Sequence, residues 1–306
     1  MIKYYFRDKE NKELKELSSF KQGAWIYAED LNKDEIEKLA SEFNLEEGHL
    51  VDALDEFEVP RLEIEDGDVY IFLRVPVKDR SGSNTMPFLI ILGKQFILTV
   101  VREQMSFMEK FIKNETDFQT NQKIDFLYQI ISMVNNLYYR RITEINKKVR
   151  SIRAGIERID NKDIIKFVDF EQILNDFVSA LQPMSAILRS LLKGNIMKLH
   201  EDNLDSIEDL LLSSEQLLEN AKSTLKNIVN IREAYSTIIS QDLNRVMKLL
   251  TSLTIIVTVP TMISSFYGMN INLPFENSAF AYIGILGVTL FSVLIFIMIF
   301  KKNRWL

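Results

Sequence analysis

The chain has no cysteine, so disulfides and thiolate metal sites are excluded. It has two histidines, His49 and His200, which leave almost nothing for a histidine-based zinc site; both read as incidental. Basic charge is not in excess. Lys and Arg number 37 against 43 Asp and Glu, a net charge of −6, which argues against a general nucleic-acid binder. No glycine-rich loop followed by Lys-Ser or Lys-Thr is present, so no nucleotide-phosphate site of that kind is expected. There is also no nucleophile–base set, no metal-ligand cluster of catalytic type and no cofactor loop, and an enzyme is not expected. The N-terminus, Met1-Ile2-Lys3-Tyr4-Tyr5-Phe6, reaches charge quickly and lacks the apolar core of a signal peptide. Glycine and proline are missing from Ile196 to Val259. Charge is missing from two stretches near the end, Leu249–Phe275 and Asn277–Phe300.

What is present divides into a soluble part of about 245 residues and a membrane part of about 60. Ile2–Phe6 and Ala24–Ala28 read as short strands. Asn32-Lys33-Asp34-Glu35 has the pattern of a capping box and opens a helix with Ile36, Leu39, Ala40 and Phe43 on one face; a second short helix is expected near Glu46–Phe57. Pro60–Arg102 reads as hairpins. Val69–Val77 follows the turn pair Asp66-Gly67, and Phe88–Leu92 and Gln95–Val101 flank Gly93-Lys94. These elements suggest a mixed α/β domain of roughly 110 residues. Ile124, Leu127, Ile131, Val134, Tyr138, Ile142, Ile145, Val149, Ile152 and Ile156 then form one apolar stripe of a long helix. A second helix carries Phe167 through Leu191 with a bend expected at Pro183, and Gly194-Asn195 ends it. A third begins near Asn203 and, running to Tyr267, would be on the order of 95 Å long, longer than any bilayer is thick.

Each uncharged stretch suffices for a transmembrane helix, which needs about 20 residues. The predicted fold class is therefore an α+β cytoplasmic domain with a long helical stalk and two C-terminal transmembrane helices. Arg245 and Lys248 precede the hairpin, Lys301, Lys302 and Arg304 follow it, and its loop has no Lys or Arg. Both termini are thus expected in the cytoplasm, with Trp305 as an interfacial anchor. The first membrane helix bears a stripe of polar or small residues: Asn244, Met247, Thr251, Thr254, Thr258, Thr261, Ser265 and Gly268. Such a stripe serves either helix packing or a polar passage. A passage would need several copies of the chain around an axis, most simply in cyclic symmetry.

At the end of that helix stands Tyr267-Gly268-Met269-Asn270. In this position it resembles the signature of the CorA family of magnesium and divalent-cation transporters. The likeness extends to Asn244-Arg245-Val246-Met247-Lys248 at the start of the first membrane helix and to the basic tail Lys301–Leu306. It also takes in Asp52-Ala53-Leu54-Asp55 with Pro60-Arg61. The resemblance implies a funnel-shaped homopentamer in the cell membrane that takes up hydrated Mg²⁺, with Co²⁺ or Ni²⁺ also considered. Its partners would be its own copies, the lipid bilayer and divalent cations, with no nucleic acid. Tyr267, Gly268, Met269 and Asn270 would form the selectivity mouth. Asn244, Met247, Leu250, Thr251, Thr254, Thr258, Thr261 and Ser265 would line the pore, with Met247 and Leu250 as its apolar constriction. The family commonly has a bulky apolar residue near Thr258 and a glycine near Ser265, so the middle of this pore is expected to be wetter.

By the same resemblance Asp52 aligns with an acid that meets a stalk acid of the neighbouring subunit, here Asp209, around a regulatory Mg²⁺. The remaining acids between Asp52 and Asp68 read as solvated surface. Implied segments are 1–115 (cytoplasmic domain), 116–200 (helical hairpin), 201–268 (stalk and first membrane helix), 269–279 (external loop), 280–300 (second membrane helix) and 301–306 (basic tail). Two other readings stay open: a zinc transporter of the same superfamily, ZntB-like, and a membrane-tethered scaffold or sensor.

Overall fold

The computed structural model describes residues 1–10, 13–80, 83–155, 159–193, 201–271 and 280–306. They fall into two compact units, Met1–Asn230 and Ile231–Leu306.

The first unit is built on a seven-stranded sheet. Its strands are β1 (Ile2–Phe6), β2 (Lys15–Leu17), β3 (Trp25–Glu29), β4 (Arg61–Glu65), β5 (Asp68–Arg80), β6 (Ser83–Leu92) and β7 (Ile97–Val101), in the spatial order β2-β1-β3-β7-β6-β5-β4. All neighbours are antiparallel except β3 and β7. The turn between β4 and β5 is made by Asp66 and Gly67, both left-handed at φ 51° and 85°, which suits the right-handed twist of the flanking strands.

Both sheet faces are covered, which is why β5, β6 and β7 read as nearly unbroken apolar runs. On one face Ile26, Ala28, Tyr70, Phe72, Leu89, Ile91, Leu98 and Val100 pack with Ile36 and Leu39 of α1 (Lys33–Phe43) and Leu50 of α2 (Glu47–Asp52). The capping box is formed: Asn32 Oδ1 accepts from the Glu35 amide at 2.9 Å and Glu35 Oε2 from the Asn32 amide at 3.1 Å. Helix α2 is shorter than the sequence suggests. It stops at Asp52 because Asp55 captures the chain, with its Oδ1 accepting from the Phe57 amide and its carbonyl from that of Glu58.

On the other face Trp25 meets Phe111, Phe118 and Phe126 edge-on. These rings come from α3 (Met108–Ile112), the segment after it and α4 (Lys123–Ala154). Tyr138 of α4 packs on Phe177 of α5 (Asn161–Leu192) and donates to the Arg74 carbonyl at 2.8 Å. The predicted stripe on α4 is the buried one, from Leu127 to Val149; Ile156 lies outside the described residues, as do Gly194, Asn195 and His200. Helix α5 runs unbroken through Pro183.

Helix α6 (Glu201–Tyr267) starts in this unit and buries Ile207, Leu210, Ser214, Leu217, Ala221, Thr224 and Ile228. Ser214 and Ser185 hydroxyls meet at 3.3 Å, and Asn146 donates to Thr224 at 3.3 Å. The second unit holds the rest of α6 and α7 (Ala281–Lys302), which among the described residues are the two helices long and apolar enough to cross a membrane. Phe300 stacks between Phe296 and Trp305 at the end of α7.

Candidate ion pathway

In the uncharged part of α6 the covered residues are Ser252, which is fully buried, and the half-buried Ile255, Ile256, Val259, Pro260 and Ile263. Those of α7 include Ala281, Ile285, Thr289, Ser292, Phe296 and Phe300, also at helical spacing. These are the covered sides of the two helices within the unit. Asn244, Met247, Thr251, Thr254, Thr258, Thr261, Ser265 and Gly268 are all exposed, as is Leu250. At 3.6 residues per turn their stripe lies roughly 140° around α6 from the covered face. The stripe is therefore not the face of α6 that is covered within the chain.

Three of its hydroxyls have a common geometry. Thr254 donates to the Leu250 carbonyl at 2.8 Å, Thr258 to that of Thr254 at 2.7 Å and Thr261 to that of Val257 at 2.9 Å. Each proton is used within the helix, and what faces outward is an oxygen lone pair. A row of pure acceptors suits water molecules bound to a cation, since their protons point away from the metal. On α7, Thr289 and Ser292 make the same bonds to the Ile285 and Val288 carbonyls, which uses both protons within the helix in an apolar setting.

Tyr267 is the last residue of α6, and Gly268, Met269 and Asn270 follow in an exposed turn. The Gly268 amide still bonds to the Ser264 carbonyl at 3.0 Å and that of Met269 to Phe266 at 3.3 Å. A Cβ on Gly268 would come within 3.3 Å of the Ser264 oxygen, so glycine lets the helix close tightly here. Most of the 269–279 loop, with Pro274 and Glu276, lies outside the described residues.

The acids between Asp52 and Asp68 are less solvated than their density suggests. Arg61, lying over the Phe72 ring, pairs with Asp52 at 2.7 Å and also with Glu58 and Glu63. Arg102 holds Glu56 at 3.3 Å, and Arg74 bonds the Glu56 and Glu58 carbonyls. Asp68 is buried and accepts from the Lys94 amide at 3.2 Å; burial raises its pKa from the ordinary aspartate value. Asp209 is exposed and lines a cleft of about 370 Å³ with Tyr128, Asn135 and Asn220. No described contact joins Asp209 to Asp52 within one chain. His49 is buried beside Glu63 and Glu65. The sequence does not show this grouping, because the three residues come from a helix and a strand that only the fold brings together.

A family model described as CorA-like Mg²⁺ transporter protein matches residues 20–302. The cobalt/magnesium transport protein CorA of Methanocaldococcus jannaschii is 22% identical over 289 residues, covering 92% of this chain and 91% of its own length. The complete structure of the CorA magnesium transporter from Methanocaldococcus jannaschii superposes with a TM-score of 0.85 at 20% identity, over 100% of this chain and 99% of that one. The cytoplasmic domain of ZntB from Vibrio parahaemolyticus reaches a TM-score of 0.66 at 12% identity, over 78% of this chain and 98% of that one, a likeness of fold alone.

Proposed function

This chain belongs to the CorA-like Mg²⁺ transporter family, and on that premise we propose that its copies ring a watery axis and pass hydrated Mg²⁺ into the cell. It is a divalent-cation transporter of the membrane and not an enzyme. The finer reading rests on one observation above all: the polar stripe of α6 is exposed, and the face covered within the chain is another. A second copy of the chain is then what the stripe would face, and a homopentamer in the lipid bilayer is the assembly we favour. Both termini would lie in the cytoplasm, since the Lys and Arg residues flank the hairpin's open end.

Magnesium holds its waters tightly, so a selective passage gains by recognising the hydrated ion. The Asn270 amide oxygen and the Gly268 carbonyl would form the outer collar, flanked by Tyr267 and Met269. Thr251, Thr254, Thr258, Thr261, Ser265 and, at the inner end, Asn244 would bond the ion's waters in succession. Met247 and Leu250 would make an apolar constriction that closes by dewetting. A doubly charged ion gains about 4.6 kcal/mol per 100 mV of membrane potential, which drives uptake without a nucleotide site.

Regulation is proposed at Asp52 and Asp209 of neighbouring copies, with intracellular Mg²⁺ screening their repulsion in the closed ring. Asp52 already shares a proton of Arg61, so the ion would bind through the carboxylate's remaining lone pairs and hold more weakly than at an unpaired acid. Purified protein in liposomes tests the whole reading. Mg²⁺ influx that follows an imposed potential and is abolished by Asn270→Ala supports it. Unchanged flux in Asn270→Ala, or none in the parent, favours a tethered scaffold or sensor. Influx of Zn²⁺ in preference to Mg²⁺ favours the ZntB-like alternative, and the same assay ranks Co²⁺ and Ni²⁺. The double exchange Asp52→Ala with Asp209→Ala should keep transport open at high internal Mg²⁺; normal shut-off would remove these residues from the sensor.

A further inference from the structure

The edge strand β4 carries Glu63 and Glu65 two residues apart, hence on one side of the strand, and α2 brings His49 to them. His49 Nε2 lies 3.2 Å from Glu63 Oε2 and 3.7 Å from Glu65 Oε2. One ligating atom from each of the three lies within 4.8 Å of the others. The His49 side chain is 10% exposed, and Tyr70 and Phe72 pack against it, with ring centroids 4.6 and 5.8 Å away. Although both carboxylates are within ion-pair reach, neither oxygen sits where the in-plane N–H would meet it. The buried Nε2 has no hydrogen-bond partner. A buried polar atom left so is unfavourable unless something else binds it.

We propose that His49, Glu63 and Glu65 hold a divalent transition-metal ion of the Co²⁺, Ni²⁺ and Zn²⁺ class. Tetrahedral bonds of about 2.1 Å put neighbouring ligand atoms about 3.4 Å apart, between the two separations seen here. An imidazole nitrogen selects this class over Mg²⁺, which takes oxygen ligands. Two carboxylates and a neutral imidazole match a charge of +2, and three protein ligands leave a position for water. The second oxygen of Glu63 is held by Arg61 Nε, an outer-shell contact that orients a ligating carboxylate. The site stands apart from the pore reading, because it lies in the first unit and its test measures binding and not transport.

The full-length protein in detergent, with Mg²⁺ in excess to fill oxygen-only sites, is titrated with Co²⁺ while its visible d–d absorption is followed. One saturable Co²⁺ per chain is expected, lost in His49→Gln and bound about tenfold or more weakly in Glu65→Gln. Glu65 is exposed, so its exchange leaves the fold intact, as far-UV circular dichroism would record. Should His49→Gln not fold, Glu65→Gln decides alone. Parent and Glu65→Gln chains giving the same titration, or a parent with no saturable Co²⁺ absorption, would overturn the proposal and leave His49 as a partner in an ion pair.

Discussion

The hydroxyl of Thr258 has given its proton to Thr254, so its oxygen can only accept. Thr258→Val keeps the shape and removes that oxygen. The lost bond is worth about 1 kcal/mol and is lost in every copy of a ring, so Mg²⁺ influx should fall by about tenfold or more, with Thr258→Ser restoring it. Asp68 tests a different residue-scale effect. Burial raises its pKa, against the opposing pull of the Lys94 amide and the Lys94 and Lys123 charges. A carboxyl whose pKa is raised on folding favours the fold when protonated. That contribution is complete below its unfolded value of about 4 and fades as pH rises through the folded value. Asp68→Asn, which keeps an acceptor for the Lys94 amide, should therefore gain in melting temperature over the parent toward neutral pH. The two should converge in acid. A variant that loses ground as pH rises would contradict the sign.

At the scale of elements, much was legible because local chemistry decides it. Asn32 and Glu35 stand three apart before an apolar face, and the capping box forms; Asn32→Ala should lower stability by about 1 kcal/mol in thermal unfolding of the solubilised chain. Gly93 was legible as a turn, but its reason was not. A Cβ there would lie 2.4 Å from the Phe96 ring, which is itself in the core, so Gly93→Ala should cost about 1–3 kcal/mol in the same measurement. The strand β2 escaped notice because Lys15-Glu16-Leu17 is too short and polar to show an apolar alternation; it exists by pairing with β1. Strand β4 falls within the expected hairpins, with Leu62 and Ile64 alternating with charged residues before the Asp66-Gly67 turn. The parallel match of β3 to β7 has no local signature at all. The site divides the same way. The stripe on α6 follows from helical spacing within one element, whereas His49 with Glu63 and Glu65 needs a helix and a strand already in place.

For the whole molecule, the striped face of α6 has no cover within its unit, and the prediction is about what copies do. The chain contains no cysteine, so single cysteines can be read without background. Cysteine placed for Thr254, Thr258 or Thr261 should react with water-borne thiol reagents in native membranes, and neighbouring copies should cross-link into rings. Cysteine placed for Ser252, buried on the covered face, should stay silent. Protection of the stripe with reaction at position 252 would reverse the assignment of faces. If the stripe does bound a passage, the use of its Thr254, Thr258 and Thr261 protons inside the helix has a further effect. A chloride ion needs donors, and these hydroxyls have none to give. Anions would be turned away by a wall carrying no fixed charge, and a cation would be held by nothing strong enough to detain it.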